Sequence, residues 1–167
     1  YSESYPKAYQ TIDVYHNHGV LIFSGLIETV TSQRAGTTNL KIHQLDLIDN
    51  HYLADKKVVA SYFEDMLAGD IVKALWENYL EDEGVTLGII EDGGIIRHAL
   101  FNYLLASKCL DQVAEKTSFV WYIDKYKRLN FHSRLSVGAP FTLTDLVCRD
   151  ITVMESNPQY RNRQYII

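Results

Sequence analysis

The strongest nucleophiles in the sequence are its two cysteines, Cys109 and Cys148. A cysteine hydrolase needs a thiolate, a histidine to take the proton and a third group to orient the ring. Cys109 falls near the start of a stretch that reads as a short helix, and a helix N-terminus lowers a thiol's pKa. His98 and His132 are the histidines that would serve it. The same position suits an ordinary packed cysteine, and no cysteine-hydrolase signature surrounds it. Cys148 lies in an apolar, strand-like run. His16 and His18 are spaced as two zinc ligands on one strand face would be. They flank a turn, however, and no Cys or His pair stands nearby to complete a set. Glu81, Asp82, Glu83, Glu91 and Asp92 could supply an acid/base pair. They fall in polar turns, where a desolvated acid is least expected. Gly93-Gly94 lacks phosphate-loop spacing, and neither GxSxG nor HExxH occurs. The expectation is no catalytic residue, no cofactor and no metal.

The elements that would have to position such groups follow from bulk properties and patterning. With 167 residues, 47% hydrophobic and 22% charged, the chain is long enough to bury a core without disulfides or metal. Its net charge of −5 argues against nucleic-acid binding, which needs a basic face to displace counterions. The basic clusters Lys125, Lys127, Arg128 and Arg161, Arg163 are too small for such a face. No apolar run approaches a membrane span and no signal pattern opens the chain, so stable membrane insertion is not expected. Two cysteines are no disulfide framework and fit folding in a reducing compartment. The absence of an initiator Met and the apolar end Tyr165-Ile166-Ile167 lead to the expectation of a piece of a longer polypeptide.

Along the chain, period-two alternation at Thr11–His16 and a turn at Asn17-His18-Gly19 predict a hairpin over 10–24. Gly25 reads as an interruption by a bulge or tight bend. Leu26–Thr31 and Asn39–Leu47 continue an antiparallel meander or small barrel. After a link at 49–55 and a strand at Val58–Tyr62, the spacing of Leu67, Ile71, Val72, Leu75, Trp76 and Tyr79 predicts a helix. Asp65 is its expected cap and Gly84 its C-terminal glycine. The run Glu81–Glu83 reads as solvated, with nothing to pair it. Residues 85–90 form a strand, and Ser107 is the expected cap of a second, shorter helix. Residues 119–123 and 129–131 form a β-hairpin, and strand-like runs follow from 141. Trp76, Leu75, Ile71, Leu110, Trp121 and Ile123 should share one core, leaving few large apolar residues for an interface. The fold class is α+β: antiparallel barrel or meander elements with an inserted small α/β lobe of two helices plus a hairpin. The expected parts are 1–62 (barrel), 63–135 (lobe) and 136–167 (return to the barrel).

Three stretches carry a resemblance. They are LIFSGLIETVTSQRAG with LDLIDNHYLADKKVV, then AGDIVKALWENYLEDEGVTLGIIEDG with LFNYLLASKCLDQVAEKTSFVWYIDKYKRLNF, and finally NPQYRNRQYI. Over about residues 10–167 the chain resembles the baseplate hub, or tail-tip, proteins of phage and prophage tails. The resemblance implies a structural part of the virion tail, assembled in the bacterial host cytoplasm. It implies a homotrimeric ring in the full-length form, with tail tube, distal tail and spike or fibre as partners. It supplies no catalytic residue, although some members carry a separate cell-wall hydrolase domain. A hydrolase region acting through Cys109 is the alternative reading, and a carbohydrate- or receptor-binding module is a third. The polar stretch Gln159, Tyr160, Arg161, Asn162, Arg163 and Gln164 is the expected subunit interface.

The incomplete ligand set around His16 and His18 generates a direct expectation. Elemental analysis of the purified chain should find no stoichiometric zinc, and a chelator should leave its melting temperature unchanged.

Overall fold

The computed structural model describes residues 5–36 and 41–138. The chain divides into two compact units, Tyr1–Val137 and Gly138–Ile167. All the elements named below belong to the first. Cys148, the expected interface at 159–164 and the strands expected beyond 140 lie outside the described residues.

The expected first hairpin is present: β1 (Thr11–Tyr15) pairs antiparallel with the opening of β2 (Leu21–Arg34). Its turn is closed by the Gly19 amide donating to the His16 carbonyl at 2.8 Å, with Gly19 at φ +76°. β3 (Lys41–Asp49) pairs with the other edge of β2, giving an open meander in the order β1-β2-β3. Gly25 does not interrupt the strand, contrary to the sequence reading. It is paired with Ile12 and Asp49, inside the continuous 14 residues of β2. A Cβ there would sit 2.0 Å from the Ile48 carbonyl oxygen, so the glycine serves a close backbone approach. The irregularities fall between Val14 and Tyr15 and between Ile27 and Thr29.

A one-turn helix, α1 (Tyr52–Asp55), leads into β4 (Val58–Leu67). The strand runs five residues past the expected end at Tyr62, and α2 (Ala68–Tyr79) starts directly after it. Asp65 is therefore not a cap. It lies in β4 at φ +47°, and the cap position is Leu67, which has extended backbone and no side-chain bond to the helix. The exposed amides are satisfied differently: Ala68 donates to the Gly94 carbonyl at 3.0 Å and Gly69 to that of Asp92 at 2.8 Å. A backbone acceptor within reach makes a capping side chain unnecessary. Gly84, at φ +76°, closes the 3-10 turn Glu81–Glu83 that follows α2. The acidic run does find partners. Lys56 and Lys57 reach Glu83 at 2.9 and 3.0 Å, and the hydrogen bonds from Lys56 and Lys57 hold the Glu83 carboxyl below its ordinary pKa.

β5 (Thr86–Ile90) is the expected short strand. Next comes β6 (Ile95–Leu105), to which the sequence pattern assigns no element. Its apolar residues fall on both faces, so neither a two-residue nor a 3.6-residue period stands out. Ile96, Ala99 and Phe101 are buried, whereas Ile95, Leu100, Tyr103 and Leu105 are exposed. α3 (Ala106–Thr117) again follows its strand without a gap. Ser107 is not its cap but the second helical residue, buried, with no hydrogen-bond partner for its Oγ among the described residues. The Ala106 amide donates to the Lys57 carbonyl at 2.8 Å. β7 (Phe119–Ile123) and β8 (Arg128–Ser133) form the expected hairpin. The Asp124 carboxylate holds its turn by accepting from the Tyr126 and Arg128 amides at 2.8 and 3.0 Å.

Beside the meander lie a two-stranded antiparallel ribbon, β4-β6, and a three-stranded sheet, β5-β8-β7, in which β5 runs parallel to β8. The block 58–123 is two successive β-α-β units, β4-α2-β5 and β6-α3-β7. In both, a left-handed residue (Asp65 or Tyr103) precedes by two positions a leucine (Leu67 or Leu105) that starts the helix. No internal repeat is apparent in the residues themselves. α2 and α3 pack between the ribbon and the β5-β8-β7 sheet. Ile71, Leu75, Leu110 and Ile123 share the core as expected, together with Phe101, Phe131, Leu129 and Val59.

Trp76 and Trp121 depart from expectation: both are half-buried at the margin of that core. Their indole N–H groups donate to the Val85 carbonyl at 2.7 Å and to the Asp111 carboxylate at 2.9 Å. Their truncation should therefore cost less than truncating a fully buried ring. In urea unfolding, Phe131→Ala is expected to lose about 3–5 kcal/mol and Trp121→Ala about 1–3 kcal/mol. Equal losses for the two variants would contradict this placement.

Candidate functional site

Among the described residues, the candidate nucleophile and bases are not brought together. Cys109 lies on the inner face of α3 with no solvent exposure, within the core. Burial pushes its thiol up to about 11, so at neutral pH it is protonated, the reverse of an activated nucleophile. His132 is buried on β8, with Nδ1 2.7 Å from the Ser133 carbonyl oxygen and Nε2 3.5 Å from the Tyr122 hydroxyl. His98 is exposed on β6, with Nδ1 3.1 Å from the Tyr62 hydroxyl and 3.6 Å from a Glu64 oxygen. No Cys–His pair of the hydrolase alternative is assembled.

The His16 and His18 rings lie 5.4 Å apart at the exposed β1-β2 turn, and no group of three metal-binding side chains occurs among the described residues. The Gly93-Gly94 loop is built for packing. It presents carbonyl oxygens to the start of α2, and a Cβ on Gly69 would lie 2.5 Å from the Glu91 carbonyl oxygen. The Ala68 and Gly69 amides at the start of α2 are thereby taken. Glu91 is also committed, accepting from the Ser133 amide at 3.0 Å; its carboxyl is held below the ordinary value by hydrogen bonds from Ser136 and Ser133.

Surfaces offer more than side-chain constellations. The register of the β4-β6 ribbon sets Val58 opposite Leu105, Tyr62 opposite Leu100 and Glu64 opposite His98. The other face of the ribbon covers the core through Val59 and Phe101. On the outer face Val58, Tyr62, Leu100 and Leu105 remain 52%, 54%, 67% and 38% exposed. Tyr103, at the irregularity between Val59 and Ala60, is 78% exposed. The expectation of few spare large apolar residues is therefore wrong. Val58 with Leu105 and Tyr62 with Leu100 form two exposed apolar pairs on one face of the ribbon, separated by the Ala60–Asn102 pair. No helix among the described residues is long and apolar enough to cross a membrane.

No protein-family model matches the chain, and no curated protein matches it. Solved structures do. The 43 kDa tail protein of prophage MuSo2 from Shewanella oneidensis superposes with a TM-score of 0.58 at 10% identity. A tail protein from Neisseria meningitidis MC58 gives a TM-score of 0.49 at 14% identity, over 68% of this chain and 34% of its own. The MuSo2 match covers 79% of this chain, which spans only 40% of the larger protein. The chain shares its fold with a prophage tail protein.

Proposed function

We propose that the chain is a structural segment of a phage or prophage tail, part of a baseplate hub or tail-tip protein that joins the tail tube to a spike or fibre. The single observation that carries this reading is the fold shared with the MuSo2 tail protein. On this reading residues 1–62 and 136–167 belong to the barrel parts of the full-length protein and 63–135 to the inserted lobe, with β4 (Val58–Leu67) running across the first boundary. The full-length protein is a homotrimer of the virion tail, assembled in the host cytoplasm. Its partners are tail tube, distal tail and spike or fibre proteins. The role is not enzymatic, and the buried, protonated Cys109 weighs against a cell-wall hydrolase region.

Physical features support an assembly role. The meander is open and the ribbon has only two strands, so each presents unpaired edges that symmetric assembly can cover. Two strands of about ten residues present a footprint of only about 300 Å², from the ~3.3 Å rise and ~4.8 Å spacing of strands. A stable interface needs about 800 Å² per partner. The outer face of the ribbon is thus proposed as part of a larger contact, and Gln159, Tyr160, Arg161, Asn162, Arg163 and Gln164 are proposed separately as subunit-interface residues.

Light scattering on the full-length parent should give a trimer, while the 167-residue chain alone should be monomeric or weakly associated. Leu100→Asp in the parent should weaken the trimer without lowering the melting temperature of the isolated chain. A parent that stays monomeric at micromolar concentration would sink the hub reading.

A further inference from the structure

A groove of about 1000 Å³ lies between the meander and α1. Its floor is one cross-strand row, Thr11–Leu26–Ile48, set by the pairing of Thr11 with Leu26 and of Leu26 with Ile48. Glu28 continues the floor along β2. Asp49, His51, Tyr52, Asp55 and Lys56 form the wall, where the chain leaves β3 and enters α1. Tyr9 forms the lip.

Two features show that the lip and the wall are held in place. Tyr9 is 81% exposed and has φ +66°, a left-handed conformation that costs a bulky residue energy and persists only where surroundings impose it. They do so here: its amide donates to the Ile27 carbonyl at 2.7 Å, and the Ile27 amide donates to that of Gln10 at 2.9 Å. On the wall, His51 stacks on Trp121 with ring centres 4.5 Å apart, and the Lys56 ammonium sits 5.3 Å over the Tyr52 ring.

The chemistry narrows the ligand. Three carboxylates, from Glu28, Asp49 and Asp55, face one ammonium, and Lys56 is already paired with Glu83 at 2.9 Å. An anionic ligand would meet no free cation among these residues, and a cationic one would gain little from charge alone, because Glu28 and Asp55 are exposed and water screens them. A purely apolar one would strip water from carboxylates and leave them unpaired. Glu28 and Asp55 make no side-chain hydrogen bond to another described residue, so their oxygens are free acceptors. A ligand rich in hydroxyl donors that also carries an apolar C–H face satisfies both the carboxylates and the tyrosine rings. The volume is at the upper end of the ~300–1,000 Å³ typical of small-molecule sites, which suits a short chain of rings.

We infer that this groove binds a neutral oligosaccharide, with the exposed Tyr9 ring stacking on a sugar C–H face, the half-buried Tyr52 bounding the wall, and Glu28 and Asp55 accepting hydroxyl hydrogen bonds. The inference is independent of the assembly role and survives its failure.

NMR titration of the intact chain tests it, using tetra-N-acetylchitotetraose and maltotetraose as neutral probes. Fully deacetylated chitotetraose is the cationic probe and a heparin tetrasaccharide the anionic one. Saturable millimolar or tighter binding of at least one neutral probe is expected, with shifts centred on Tyr9, Tyr52 and Leu26. Tyr9→Ala should weaken it by about three- to tenfold, the range set by one aromatic contact. Glu28→Gln should weaken it similarly, and neither exposed-site variant should change the melting temperature. The proposal is overturned if neither neutral probe saturates, if only the charged probes bind, or if Tyr9→Ala binds as the unaltered chain does.

Discussion

Two amide hydrogen bonds fix the geometry of the lobe: Ala68 to the Gly94 carbonyl and Ala106 to the Lys57 carbonyl. A buried helix start leaves amides without partners, and leaving even one unsatisfied costs about 1–3 kcal/mol. Here the partner is in each case the residue just before the opposite strand of the β4-β6 ribbon, Gly94 ahead of Ile95 and Lys57 ahead of Val58. Antiparallel pairing is what brings the end of one strand beside the start of the other. Once both bonds are made, α2 and α3 must lie together on the ribbon, and their inner faces with the β5-β8-β7 sheet enclose the core.

Much of this was legible in the residues where one pattern acted alone. The apolar stripe of α2 stands out because one face of the helix is buried and the other is not, while the β1-β2 and β7-β8 hairpins are announced by the turn residues around Gly19 and Asp124. The failures share a cause. β4 overruns its expected end and β6 is missed because both place apolar side chains on two faces, which erases the alternation on which strand recognition rests. Asp65 and Ser107 look like caps by residue type alone. The true helix starts are capped by carbonyls about 26 and 49 residues away in sequence, a relation that no local pattern encodes.

For the site, sequence reasoning was better at excluding than at finding. It left Cys109 open to two readings, and only the depth of α3 in the core decides between them. It counted large apolar residues and assigned them to the interior, since composition cannot say which of two apolar faces a helix will cover. The groove was out of reach for a different reason. Thr11, Leu26 and Ile48 become neighbours only through the register of three strands, and that register includes irregularities the sequence does not announce.

The reciprocity of the two helix anchors also bears on how copies of the chain can exchange parts. Each β-α-β unit caps the helix of the other, so neither completes its own amide bonding in isolation. The same bonds are equally satisfied when the second unit comes from another molecule. Only the four residues Glu91–Gly94 connect the two units, with Gly93 at φ +63° holding the closed bend. A domain-swapped dimer would keep the core, both anchors and the parallel β5-β8 pairing, and would differ from the closed monomer chiefly in the path of that connection. Were copies to exchange units in this way, chain concentration during folding would select between the two forms.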